Sequence, residues 1–146
     1  MQALMEGLAT FCCALFAGAA VYINAVEHPA RMSCGMKVAL SEWAPGYRRA
    51  TLMQAPLAVL GFVFSLIAWS GGSVLWVPAA GTLLVLVVPF TLIVIRPTNN
   101  RLLALSGDGD PDEAAFLLNH WNRLHMVRSG LSVTALVVLL VVARRP

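Results

Sequence analysis

Between Arg49 and Arg96 the chain runs for forty-six residues without a charged side chain. As a single helix that run would be about 69 Å long at about 1.5 Å per residue, more than twice the roughly 30 Å of a bilayer's hydrocarbon core. It fits two crossings with a turn between them. Ser70-Gly71-Gly72-Ser73 supplies the turn, because paired glycines punctuate helices. Trp69 and Trp76 flank it, where amphipathic rings favour the lipid–water boundary. A second uncharged run, twenty residues between Glu6 and Glu27, makes one more crossing. Lipid is the solvent this composition requires: 59% of the 146 residues are hydrophobic and 12% charged, against about 25% charged in soluble domains. A chain this short has no soluble core large enough to hide so much apolar surface.

The last uncharged run, Ser129 to Ala143, has only fifteen residues, about 22 Å of helix and short of a full crossing. The fourth span must therefore draw on residues before Ser129, which brings Arg128 and His125 to the headgroup level. Its helix begins earlier still. Asp110-Pro111-Asp112-Glu113 reads as an N-cap, a proline in the first turn and two acids against the helix dipole. A calcium loop through Asp108, Asp110 and Asp112 lacks the glycine and terminal glutamate of an EF-hand. The segment 102–113, with Gly107 and Gly109, reads as an exposed connection.

The expected fold is all-α: a single domain, a four-transmembrane-helix up-down-up-down bundle with spans near 7–26, 51–69, 75–95 and 126–143. The fourth helix extends outside the membrane at its N-terminal end. The N-terminal run has no basic flank and is long enough to span, so it is expected to stay in the mature chain. Loops 27–50 and 96–128 carry Arg31, Lys37, Arg48, Arg49, Arg96, Arg101, Arg123 and Arg128, whereas the other side carries Arg144 and Arg145. That imbalance places the loops in the cytoplasm and both termini outside.

Such a bundle gathers the unusual polar residues at one end. Tyr22, Asn24, Glu27, His28 and Arg31 close the first helix, and Arg49, Thr51 and Gln54 open the second. Thr91, Arg96, Asn99 and Asn100 close the third, and Asn119, Trp121, His125 and Arg128 enter the fourth. The opposite end offers little beyond Ser, Gly and Trp. Trp121, His125 and Arg128 are spaced i, i+4, i+7 and share one face, while His120 falls on another. Ionisable groups at membrane depth mark functional sites by default; the plain alternative is arginines that snorkel and a tryptophan that anchors. Pro56 and Pro89 lie inside helices and free the carbonyls of Leu52 and Val85, a kink that serves packing or splays the polar end. Ala14, Gly18 and Ala19 would let the first helix approach a neighbour closely.

The basic residues are scattered rather than interleaved with aromatics, so no nucleic-acid partner is expected. Cys12, Cys13 and Cys34 form no metal-binding or disulfide pattern and read as packing thiols. No nucleophile elbow, phosphate loop or dinucleotide fingerprint is present.

Tyr22, His28-Pro29-Ala30-Arg31, Trp43, Arg49, Pro89-Phe90-Thr91, Pro97-Thr98-Asn99-Asn100 and Trp121-Asn122-Arg123-Leu124-His125-Met126-Val127-Arg128 together resemble the anthrone-oxygenase-like family of small four-span membrane proteins. The resemblance covers nearly the whole chain, and the last motif is its most specific part. Fungal members are implicated in oxidising polyketide anthrones to anthraquinones with molecular oxygen, and most bacterial members have no assigned substrate. The resemblance implies a membrane oxidoreductase acting on a hydrophobic phenolic, anthrone- or quinone-like substrate. A base, a cation for the oxyanion and an apolar slot suffice for such chemistry. His125, or alternatively His28, is expected as base, with Arg128 and Arg31 as oxyanion partners. Tyr22, Trp121, Asn99, Asn100, Arg49 and Thr91 would contact the substrate. No cofactor is expected; the alternative is a metal or haem held by His28 and His125. Expected partners are the bilayer, a small hydrophobic aromatic molecule and, optionally, further copies of the chain. Two other functions fit the same residues: a non-enzymatic protein binding a small lipophilic or anionic ligand, and an accessory bundle with no ligand.

Overall fold

A computed structural model describes residues 1–105 and 110–144. Four long helices account for most of them: α1 (Gln2–Ser33), α2 (Met36–Ser70), α3 (Trp76–Ala104) and α4 (Pro111–Val142). Each is long and apolar enough to cross a membrane, and among the described residues there is no strand. The fold is the expected all-α bundle. α1 packs on α2 and α4, and α3 packs on the same two, so the helices form a square with few contacts across its diagonals.

The bundle exposes many large apolar side chains and buries many small ones. Leu52, Ile93 and Val137 point outward, whereas Ala9, Ala17, Ala58, Ala80 and Ala135 are buried between helices. Small residues between the helices and branched residues on the outer surface fit helices long and apolar enough to cross a membrane. Close approach rests on Gly61 and Gly81. A Cβ on Gly61 would sit 2.7 Å from Leu84 Cδ2, and one on Gly81 would sit 2.8 Å from Ser65 Cβ. The expectation for Gly18 fails, since a Cβ there meets nothing within 4 Å, and Ala14 is exposed. Small residues on α1 open space there rather than close it.

Buried apolar residues form two clusters. One contains Phe16, Ala58, Leu84 and Ala135; the other contains Ile23, Trp43, Ile95 and Trp121. Along α2 the buried positions run Ala58, Gln54, Trp43, and along α4 they run Ala135, Ser132, Ser129, His125, Trp121. A polar band therefore separates the clusters at one level of the bundle.

The connections follow local chemistry. Gly72, at φ 103°, ends α2, with Ser73 N–H bonded to Ala68 O and Gly72 N–H to Trp69 O, a left-handed glycine closure. Asp110 caps α4 by accepting from Asp112 N–H at 3.1 Å, as the sequence predicts. Asp108, Gly107, Gly109 and Arg145 lie outside the described residues. Arg101 reaches Glu113 at 2.5 Å and ties α3 to the start of α4.

Segments 27–50 and 96–104, expected outside the spans, are mostly helix: α1 ends at Ser33, α2 starts at Met36, and only Cys34 and Gly35 separate them, while 111–128 is helix as the Asp110 cap predicts. The reason is packing, because Ala39, Leu40 and Trp43 bury one stripe of the early α2 turns. Regular α3 is interrupted at Leu86, just after the Val85 carbonyl that Pro89 cannot satisfy, while α2 continues through Pro45 and Pro56. Two wider turns occur. His28 N–H bonds Ile23 O and Arg96 N–H bonds Thr91 O, five residues back in each case. Each π-turn immediately precedes a segment with proline in its first turn, Pro29 or Pro97. A proline ring clashes with the carbonyl four residues earlier, and widening the preceding turn relieves it. The opposite end is more polar than its sequence suggests: Glu6 accepts from Ser73 Oγ at 2.5 Å and from Gln2 Nε2 at 3.0 Å.

Candidate functional site

Asn24, in the π-turn of α1, reaches across the bundle to α4. Asn24 Nδ2 donates to Asn122 Oδ1 at 2.6 Å and to Asn122 O at 3.2 Å. Its Oδ1 accepts the Ser129 hydroxyl at 2.5 Å and lies 3.0 Å from His125 Nδ1. With the amide nitrogen committed to Asn122, only an acceptor faces the imidazole. Nδ1 must therefore carry the proton, which leaves the Nε2 lone pair free. His125 is 1% exposed and sits inside the polar band.

Trp121, one turn earlier, spreads its indole beside that imidazole, with centroids 4.9 Å apart. Trp43 meets the indole edge-on at 5.9 Å, His28 lies 6.4 Å away, and the Arg31 guanidinium is 5.9 Å from its ring centroid. Arg31 is buried and held by two carboxylates. Glu27, one turn back on α1, contacts Nη2, and Glu42 of α2 contacts Nε at 2.7 Å. A buried cation needs such partners because desolvation costs several kcal/mol per ion. Arg128 reaches Gln54 Oε1 at 2.7 Å and lies 5.6 Å from the Phe16 ring. His28, Arg31, Trp121, His125 and Arg128 thus lie together at one end of the bundle; the helical spacing predicts a shared face for Trp121, His125 and Arg128 alone.

The other expected site residues divide. Asn99 is 1% exposed and neither polar atom of its side chain has a partner. Thr91 gives its hydroxyl to Val87 O. Tyr22, Arg49 and Asn100 are exposed. Asn24, Glu27, Glu42, Gln54 and Ser129 complete the site and were not singled out as site residues from sequence. A weak signal existed for three of them, since Asn24, Gln54 and Ser129 are uncharged polar residues inside otherwise apolar runs. Glu42 had none, because pairing it with Arg31 requires knowing that early α2 folds back along α1.

The space around the cluster is uneven. The interior cavity touching Trp121, His125 and Arg128 holds only about 10 Å³. A groove between α1 and α2, of about 510 Å³, shares Ile23, Glu27, Gly46, Ala50 and Gln54 with that cavity and also touches Tyr22 and Arg49. A smaller groove of about 90 Å³ between α2 and α3 touches Thr91 and Arg128. Among the described residues no three His, Cys, Asp or Glu side chains are grouped to hold a metal ion.

A family model described as anthrone oxygenase matches residues 43–138. The chain belongs to the anthrone oxygenase family. It is also 32% identical, over 113 residues, to the anthrone oxygenase ptaC of Pestalotiopsis fici, an alignment covering 68% of this chain and 80% of that protein. No solved structure matches. The family match runs from Trp43 to Val138, within α4, so it takes in Gln54, Asn99, Trp121, His125 and Arg128 of this anthrone oxygenase family member.

Proposed function

We propose that this family member is a multi-pass membrane protein that oxidises a hydrophobic, hydroxylated aromatic of the anthrone type with molecular oxygen. The observation that carries the reading is His125: a buried imidazole held by Asn24 so that Nε2 is a free base, with Arg128, Arg31 and the Trp121 indole around it.

An anthrone is acidic at the ring carbon opposite its carbonyl. His125 removes one proton from that carbon, and the carbonyl becomes an oxyanion that Arg128 or Arg31 stabilises. The carbanion gives its electrons to dioxygen and forms a carbon–oxygen bond. Protonation of the distal oxygen gives a hydroperoxide. Loss of the carbon's second hydrogen, with cleavage of the oxygen–oxygen bond, then releases water and leaves the second quinone carbonyl. One anthrone and one dioxygen give one anthraquinone and one water, so the substrate itself supplies the electrons and no cofactor is called on. His28, on the far side of the cluster, is the alternative base.

Topology belongs to the same proposal. Arg31 is buried and Arg128 half-buried, so neither is a free topology signal. Lys37, Arg48, Arg49, Arg96, Arg101 and Arg123 stay exposed on the site's side and still favour a cytoplasmic site with both termini outside.

The test is oxygen uptake by the full chain in lipid nanodiscs with dithranol, a dihydroxyanthrone. Uptake is expected to match quinone formation, and His125→Ala is expected to lower it at least about 100-fold, the scale of a general base, with helicity and melting retained. Equal turnover by folded His125→Ala would sink the assignment of the base. Binding without any uptake would leave a ligand-holding protein instead of an oxygenase.

A further inference from the structure

The proposed chemistry sits beside a cavity of about 10 Å³, room for about one water molecule, which does not accommodate an aromatic ligand. The α1–α2 groove does. Its volume of about 510 Å³ falls within the roughly 300–1,000 Å³ of small-molecule sites. Four of its lining residues are too small to fill it. Gly18 and Ala19 on α1 face Gly46 and Ala50 on α2, and a Cβ on Gly18 would meet nothing within 4 Å. The gap is therefore not a helix-packing device, unlike the contacts at Gly61 and Gly81.

Two kinds of polar group reach the groove. Gln54, 1% exposed, lines both the groove and the cavity containing His125. Its Oε1 is taken by Arg128, but its Nε2 has no partner. An unpaired buried amide donor calls for an acceptor. At the same end lie the Glu27 and Glu42 carboxylates. The missing Cβ of Gly46 leaves both within reach of the groove: that Cβ would sit 3.0 Å from Glu42 Oε1 and 3.6 Å from Glu27 Oε1. One donor and two strong acceptors around a largely apolar groove match an aromatic ketone that also carries hydroxyls.

We propose that the α1–α2 groove is the holding site for a planar hydroxylated aromatic ketone, which reaches it sideways from the lipid past Tyr22 and Met53. The ketone oxygen accepts from Gln54 Nε2 and ring hydroxyls donate to Glu42 and Glu27. This rests on the proposed oxygenase function for its ligand class, but its evidence is the groove. Gln54, shared by both spaces, is the partition between the held ligand and His125.

The experiment uses the full chain in phosphatidylcholine nanodiscs, with ligand binding read from quenching of tryptophan fluorescence. The probes are anthraflavic acid, a dihydroxyanthraquinone, and unsubstituted anthraquinone. Anthraflavic acid is expected to bind at least about tenfold more tightly, as hydrogen bonds to charged groups provide. Gly18→Leu, which fills the groove without a backbone clash, is expected to weaken it at least about tenfold. Gln54→Glu, which keeps the acceptor for Arg128 but removes the donor, is expected to do the same. Gly7→Leu, at an equally open position on the far end of α1, should bind as the wild type does. Wild-type affinity in Gly18→Leu, or equal affinity for the two probes, overturns the proposal and leaves the groove to a lipid acyl chain. Dithranol oxidation unchanged in Gly18→Leu would spare the oxygenase reading and reject the groove. Tight, Gly18-dependent binding without oxidation would do the reverse.

Discussion

Asn24 is the residue on which the site's geometry turns, and replacing it with leucine of similar shape gives a prediction with a number. Its side chain bonds three residues of α4: Asn122, His125 and Ser129. Side-chain hydrogen bonds between membrane helices average about 0.6 kcal/mol and reach about 1.7 kcal/mol in double-mutant cycles. Three partners therefore put the cost of Asn24→Leu at about 2 kcal/mol. The shares are unequal. Ser129 keeps a second acceptor in His125 O at 3.4 Å, and Asn122 is only half-buried, whereas His125 Nδ1 has no other partner among the described residues and is enclosed. The His125 contact should thus lie near the upper end of that range. In a cycle with His125→Phe, which preserves the ring beside Trp121, the expected coupling is about 1 kcal/mol or more. It is measured from unfolding midpoints of the four proteins in mixed micelles. A coupling below about 0.3 kcal/mol would refute the Asn24–His125 bond and the tautomer derived from it. The same variant has a kinetic signature. Groups that orient metal-bound histidines cost about 10–100-fold when lost; a similar loss is expected here, and because Asn24 acts through His125, it should fall on kcat for dithranol with little change in KM. An equal loss in KM would mean that Asn24 merely shapes the binding site.

Two further predictions concern the bundle and its orientation. Gly81→Ala drives a Cβ to within 2.8 Å of Ser65 Cβ and 3.3 Å of Phe62 Cα and should destabilise by about 1–3 kcal/mol, while Gly7→Ala, in open space, should be neutral or stabilise by up to about 1 kcal/mol; equal melting temperatures would show that α2 and α3 do not approach as described. Cys34 is exposed between α1 and α2, whereas Cys12 and Cys13 are buried, so a membrane-impermeant maleimide should label inverted vesicles at Cys34 and leave intact cells unlabelled, and labelling of intact cells would reverse the proposed topology.

The four helices of membrane-spanning length were legible because hydrophobic length is a one-dimensional property: forty-six uncharged residues are too many for one span, and fifteen are too few. The Asp110 cap was legible because its partner, Asp112 N–H, is two residues away. The Trp121–His125–Arg128 stripe was legible because all three share one helix. Reading stopped where a contact joined two helices. Nothing in the sequence says that Glu42 meets Arg31, or that Asn24 rather than a carboxylate orients His125. Gly18 shows the same limit from the other side. A glycine in a membrane helix reads as a packing residue, yet only its neighbours decide whether it closes a gap or leaves one, and here Gly61 and Gly81 close while Gly18 leaves one.

The prolines connect sequence to site. Pro29 lies two residues beyond the π-turn Ile23–Glu27, so the wider turn that relieves the proline also changes which way the side chains after it face. A regular α1 would shift every later position by about 100° relative to this geometry, the increment of one residue. Asn24, ahead of most of the shift, would still face α4, but His28 and Arg31, beyond it, would turn away from Trp121. The π-turn thus sets the phase between the His125 orienting group and the Arg31 cation. In α3 the second π-turn lies just before Asn99, whose buried amide has no partner in the described structure. A proline-linked π-turn on each side of the site places polar groups at bundle depth that a regular helix would send toward lipid, where an unpaired amide costs several kcal/mol.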